Sequence, residues 1–111
     1  MTSRAFALTA AALCLGLVVA GVADDVPAPA RRVEAGRRLF IESGCHGCHT
    51  VGAMGTPIGP DLARLGARWG LDEIERWLRD PSAQRPRAHM PKLELSEAQV
   101  RALGAYLSSL R

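Results

Sequence analysis

From Ala5 to Ala23 the chain runs nineteen positions without a charge, bounded by Arg4 before it and by Asp24-Asp25 after it. An apolar run behind one positive charge is an export segment. Read as a cleaved signal peptide, it ends at the small residues Gly21-Val22-Ala23. Read as a retained N-terminal membrane anchor, its helix would span about 28 Å, close to the thickness of a bilayer core. In both cases the positive-inside rule holds Arg4 in the cytoplasm and sends residues 24 onward to the periplasm or cell exterior. Cys14 inside the run is expected to be a passive small hydrophobe.

Residues 24–30, DDVPAPA, predict a short extended linker, because the prolines resist helix and no apolar face is present. The remaining residues, 31–111, predict one domain with helical periodicity. Val33, Gly36 and Phe40 recur at helical spacing between Arg31 and Ser43, and Gly44 stops that helix. Leu71 to Arg79 is a short amphipathic helix, with Asp72 and Glu73 at its positive end, Ile74, Trp77 and Leu78 inward, and Asp80-Pro81 as the stop. The last helix starts at Ser96, where Ser96 and Gln99 form an S-x-x-Q capping box ahead of the stripe Val100, Leu103, Leu107 and Leu110. No stretch alternates like a strand, so the fold class is all-α. Between the first two helices, Thr50 to Gly70 is rich in glycine and proline and can bury little by itself. Something else must fill the core.

Composition limits what that can be. A chain of 111 residues with 48% hydrophobic content makes one small globular domain. Setting aside Arg4, the fourteen basic residues become thirteen against eleven acids, a balance of +2 that implies no nucleic-acid partner. The chemistry is concentrated in Cys45-His46-Gly47-Cys48-His49, a C-x-x-C-H sequence that reads as a c-type haem attachment. Residues three and four apart share a face, so Cys45 and Cys48 can each form a thioether to one edge of a porphyrin, with His49 following as proximal iron ligand. His46 is expected to point into solvent. A structural zinc site needs four protein ligands, and the chain has no second C-x-x-C or H-x-x-x-H element to supply them. A thioredoxin-type disulfide normally sits on a β-α-β scaffold, which the periodicity does not predict.

The sixth iron ligand decides between carrier and catalyst. Met54 is five residues past His49, at most about 17 Å of extended chain, which is short for rounding a porphyrin with a turn included. Met90 lies in a loop stiffened by Pro86 and Pro91 and has no helical face to fill, so it is the expected ligand. His89 is the alternative, and would give a lower reduction potential.

At this point the sequence resembles the class I c-type cytochromes, in particular small bacterial monohaem cytochromes c and the cytochrome domains of oxidase subunits. The resemblance covers nearly all of residues 31–111 and rests on GRRLFIESGCHGCHTVG, GPDLARLGAR, WLRDP and HMPKLELSEAQVRALGAYLSSL, in that order. It implies a class I cytochrome c fold, with crossed N- and C-terminal helices and a short middle helix around one covalently bound haem c. It implies haem attachment at Cys45 and Cys48, iron ligation by His49 and Met90, and a Pro60 carbonyl accepting from the His49 ring. The crossing is expected to bring Gly36 and Phe40 against Leu103, Gly104 and Tyr106. Arg68 is expected near a haem propionate, and Trp69 and Trp77 in the pocket wall.

With both axial positions filled, the expected function is one-electron transfer between respiratory redox proteins in the periplasm, by a carrier and not an enzyme. The alternatives are a permanent electron-entry subunit of a larger oxidoreductase, and a haem sensor or enzyme with a displaceable Met90. Membrane contact is expected only if residues 5–23 are retained as an anchor. Residues 43–60 carry no Asp, Glu, Lys or Arg, whereas Arg85, Arg87 and Lys92 form a basic cluster without an acid among them. That cluster is expected to steer an acidic partner.

Overall fold

The computed structural model describes residues 26–111 and, ahead of them, Gly16. The export segment therefore lies, apart from that glycine, outside the described residues. Helix α1 runs from Ala28 to Glu42 with Pro27 as its N-cap residue. It begins three residues before the expected Arg31, because Pro29 sits in the first turn, where a missing N–H costs nothing and the fixed φ suits a helix. Gly44 ends it at φ 74°, in the left-handed region.

A 3₁₀ turn at Cys45–Gly47 follows. Next comes a two-stranded hairpin, β1 at Thr50–Val51 and β2 at Met54–Gly55, in the register Thr50↔Gly55 and Val51↔Met54. Strands of two residues are too short to leave an alternating pattern, so periodicity did not reveal them. Two single-turn helices also escaped it: α2 at Leu65–Arg68 and α4 at Pro81–Gln84. Helix α3 spans Leu71–Arg79, and α5 spans Glu97–Ser109. The all-α class holds, with the hairpin as its one small sheet among the described residues.

The capping box at α5 is present in full. Gln99 N–H donates to Ser96 Oγ at 3.1 Å, and Ser96 N–H donates to Gln99 Oε1 at 2.8 Å. Helix α5 packs on α1 and on α3, and the shared core is Phe40, Ile74, Leu78, Val100, Leu103 and Leu107. Burying side chains of this size stabilises by roughly 1.5–3 kcal/mol each before the entropy cost of ordering the chain is subtracted. Gly36 permits the α1–α5 crossing: a Cβ there would collide with the Ala102 carbonyl and lie 2.7 Å from Tyr106 Cβ. Gly104 does not meet α1 as expected. It faces α3, where a Cβ would approach Glu75 and Leu71.

The chain end is pinned by α2 instead of extending α5. Leu110, expected in the helical stripe, lies just past the helix, and its carbonyl accepts the Gly66 N–H at 2.7 Å. Arg79 on α3 reaches Glu97 at the start of α5 through two hydrogen bonds of 3.0 Å, and also Glu75 at 3.3 Å. This charge bridge ties the middle helix to the C-terminal one.

Candidate functional site

One turn of backbone gathers three of the four expected site residues. The Cys45 carbonyl accepts from the N–H groups of Cys48 at 3.2 Å and His49 at 2.9 Å. Cys45 is half-buried and Cys48 is exposed, and neither is in a disulfide. Burial pushes the Cys45 thiol above its ordinary value. Among the described residues no three His, Cys, Asp or Glu side chains converge to hold a metal ion by themselves. The zinc alternative loses its geometry.

The His49 ring is oriented by its surroundings. Its Nδ1 lies 2.8 Å from the Pro60 carbonyl oxygen. That oxygen can only accept, so Nδ1 carries the proton and the Nε2 lone pair is left for a metal. Gly59 provides the space: a Cβ there would lie 2.7 Å from His49 Cε1 and 2.9 Å from Nδ1. Sequence reasoning missed Gly59, although it stands directly before Pro60 in the GPDL stretch. The loop carrying both is closed by Thr50 Oγ1, which donates to Asp61 Oδ1 at 2.7 Å and thereby holds the Asp61 carboxyl below its ordinary range.

His46 corrects an expectation. It is half-buried, with its ring edge-on to Phe40 at a centroid separation of 4.9 Å. The hairpin folds across it, with Thr56 N–H donating to the His46 carbonyl at 2.9 Å, and Nδ1 is enclosed without a partner. Its side chain closes the space between α1 and the hairpin.

Met90 arrives from the loop between α4 and α5 and packs, half-buried, against the same core as Cys45. Its Sδ accepts a hydrogen bond from Trp77 Nε1 at 3.1 Å. His89 beside it is exposed, and Met54 on the hairpin is 66% exposed. Trp77, expected in the wall, thus has a defined task that spacing alone did not reveal, and Trp69 stands edge-on to it at 5.7 Å. Arg68 is exposed and lines, with Pro60, Asp61, Arg64 and Ala67, an open depression of about 520 Å³.

The basic cluster does not consist of three free charges. The Arg85 guanidinium lies 6.0 Å from the Trp69 ring centroid and 5.9 Å from that of Trp77, and Lys92 Nζ is 4.0 Å from Asp80. Arg87 alone of the three has no ion pair or cation–π contact within the described residues.

A family model for cytochrome c matches residues 33–111. The chain belongs to the cytochrome c family. Its cofactor is haem c, covalently bound, and the donor set fits it: two thiols and a histidine on one turn, that histidine with a free Nε2, and an inward thioether. This cytochrome is 35% identical over 103 residues to a cytochrome c oxidase subunit 2 of Alkalihalophilus pseudofirmus, a match covering 84% of the chain but 30% of the relative. It is 29% identical over 108 residues to a nitric oxide reductase subunit of Cereibacter sphaeroides, covering 86% of the chain and 74% of the relative. With a nitric oxide reductase subunit of Paracoccus denitrificans it shares 26% identity over 84 residues, 68% of the chain and 56% of the relative. The cytochrome therefore spans about a third of the oxidase subunit's length. The family match points to haem-based chemistry at this site.

Proposed function

We propose that residues 31–111 form a periplasmic monohaem electron carrier in which Cys45 and Cys48 attach the haem and His49 and Met90 are the axial iron ligands. When bound, haem c supplies a one-electron Fe(III)/Fe(II) couple. The observation that carries this reading is Met90 Sδ, held inward on the Trp77 N–H while His89 faces solvent. A thioether placed there would leave no open coordination position for substrate, which favours a carrier over an enzyme or sensor, and would stabilise the reduced state. The proton on His49 Nδ1, held by the Pro60 carbonyl, would tune the basicity of the ligating Nε2 across the ring. Core residues Leu62 and Leu65 and half-buried Trp69 keep water from this interior.

Localisation follows from residues 1–23, read as a signal peptide or an anchor, joined to the domain ahead of α1, which begins at Ala28. Among the described residues no helix is long and apolar enough to cross a membrane. A second reading, a permanent electron-entry subunit of an oxidoreductase, is favoured by the relatives, which are named as subunits of an oxidase and of nitric oxide reductases. Expression in a host competent for cytochrome c maturation, followed by a visible spectrum, tests the ligand set. A long-wavelength Met-to-ferric-iron band is expected, and its absence would sink the His/Met reading. Purification from the native membrane and periplasmic fractions separates the two readings, since a carrier elutes alone and a subunit elutes with its complex.

A further inference from the structure

Met90 is an unbranched side chain with three rotatable bonds, so the backbone alone does not fix where its sulfur sits. The Trp77 N–H fixes it, at 3.1 Å. An indole has only that one donor, so the direction of the bond is the orientation of the ring. What orients the ring is therefore what places the thioether.

Two groups bear on the Trp77 ring. Trp69 meets it at 82°, with centroids 5.7 Å apart. Two rings at that angle form a corner, and the Arg85 guanidinium occupies it, about equally distant from both centroids at 6.0 and 5.9 Å. The backbone delivers Arg85 there. Asp80 caps α4 by accepting from Ala83 N–H at 3.2 Å and from Ser82 Oγ at 2.8 Å. The Arg85 N–H then donates to the Pro81 carbonyl at 3.0 Å, and its own carbonyl accepts from Ala88 N–H at 2.9 Å. A loop of ten residues past Asp80 thus wraps Trp77, with Arg85 over the ring face and Met90 at the ring N–H. None of the ion pairs among the described residues involves Arg85. Its contacts are the two π faces, and a cation over an indole also draws electron density from the ring, which makes the N–H a better donor.

We propose that Arg85 is a positioning residue for the axial thioether, holding and polarising the Trp77 indole that donates to Met90 Sδ, and is not a docking charge. The inference rests on the reading of Met90 as an axial ligand. Its consequence is that Arg85 sets how readily an exogenous ligand displaces the thioether, without itself touching the iron.

The test uses the full chain matured with its haem, and imidazole as the competing ligand of the ferric protein, followed by loss of the long-wavelength band. Arg85→Gln is expected to raise imidazole affinity about two- to five-fold, the equivalent of a partly exposed cation–π contact, and to lower the reduction potential. Arg85→Lys should recover part of the change, while Arg87→Gln should match the parent. In a Trp77→Phe background, where the N–H is gone, Arg85→Gln should add almost nothing. Equal affinities for the Arg85→Gln and Arg87→Gln variants would overturn the proposal, as would an undiminished Arg85 effect in the Trp77→Phe background. A lowered unfolding temperature with unchanged affinity and potential would also overturn it. Met90→Ala separates the two levels: if it left the band and the imidazole affinity unaltered, the axial reading itself would fail, whereas its expected loss of the band leaves the Arg85 comparison decisive.

Discussion

Replacing Gly36 with alanine adds one methyl group at the crossing of α1 and α5. The added carbon would overlap the Ala102 carbonyl group and lie 2.7 Å from Tyr106 Cβ. Carbon atoms rest about 3.5–4.0 Å apart, so the shortfall is about 1 Å. Neither neighbour is the free end of a side chain, and both move only if α5 moves. Pushing α5 outward opens its packing against Phe40, and a gap of about 0.5–1 Å already forfeits a quarter to a half of each dispersion contact. Overpacking of this kind costs about 1–3 kcal/mol, and the hard overlap with backbone puts Gly36 at the upper end. Alanine returns about 1 kcal/mol through helix propensity. The net expectation is a loss of about 2 kcal/mol, or about 8–16 °C in unfolding temperature at the usual scaling for a domain of this size.

Thermal unfolding of the matured protein, followed by far-ultraviolet circular dichroism, measures the loss. Gly104→Ala on α5 is the internal control. Its Cβ would meet Glu75 Cγ at 2.9 Å and Leu71 Cδ1 at 3.2 Å, both in side chains that can swing aside. With the same propensity gain it should stay within about 1 kcal/mol of the parent. If Gly36→Ala proved as stable as the parent, or more stable than Gly104→Ala, the close-approach argument would be wrong.

Haem staining on a denaturing gel should weaken or vanish for Cys45→Ala and for Cys48→Ala, and the double variant should lose both stain and most of its folded structure; a stained double variant would refute attachment at these residues. Met90→Ala should lose the long-wavelength band and lower the potential, while His89→Ala, altering an exposed side chain, should change neither; the reverse ranking would exchange the ligand assignment. Hydrogen bonding from Arg79 holds the Glu97 carboxyl below the ordinary glutamate value of 4.5. The folded value is depressed, so the stabilisation is present above the unfolded value and is lost as pH falls through the folded one. Arg79→Gln should accordingly flatten the decline of unfolding temperature below about pH 4.5, and an unchanged acid limb would remove the bridge from the stability argument.

The parts of this fold that could be read in the sequence are those with a repeating physical signal. Val100, Leu103 and Leu107 recur at helical spacing because one face of α5 must be buried, and Ser96 with Gln99 announces where that helix begins. The C-x-x-C-H sequence is legible because the turn geometry leaves little choice of spacing. The start of α1 is not legible in the same way, because a proline reads as a breaker and here stands in the first turn, where it is tolerated. The single-turn helices α2 and α4 and the hairpin are shorter than any period. The environment of His46 could not be read at all, since what encloses its Nδ1 is the hairpin brought back by Gly55. Periodicity can mark Trp77 as inward, but only tertiary structure shows that its N–H is aimed at Met90.

Charge counted along the sequence proved a poor guide to charge available at the surface. Arg85, Arg87 and Lys92 look like one basic cluster, yet the first lies on two indoles and the last faces Asp80. A carboxylate beside a cation offsets the field it projects at long range, whereas a cation lying on an aromatic face keeps its full charge. Arg85 and Arg87 are both exposed and charged, while Lys92 lies 4.0 Å from Asp80, so the cluster offers two uncompensated cations and not three. Residues 43–60 offer a second, uncharged surface, where Cys48 is exposed and Ile58 is 75% exposed. Contact through an apolar surface depends little on ionic strength, and its off-rate is set by packing. A surface of that kind can serve either a short-lived encounter or a fixed seat in a complex. The area buried by the partner decides which, because small interfaces release quickly and those of permanent complexes are large and hydrophobic.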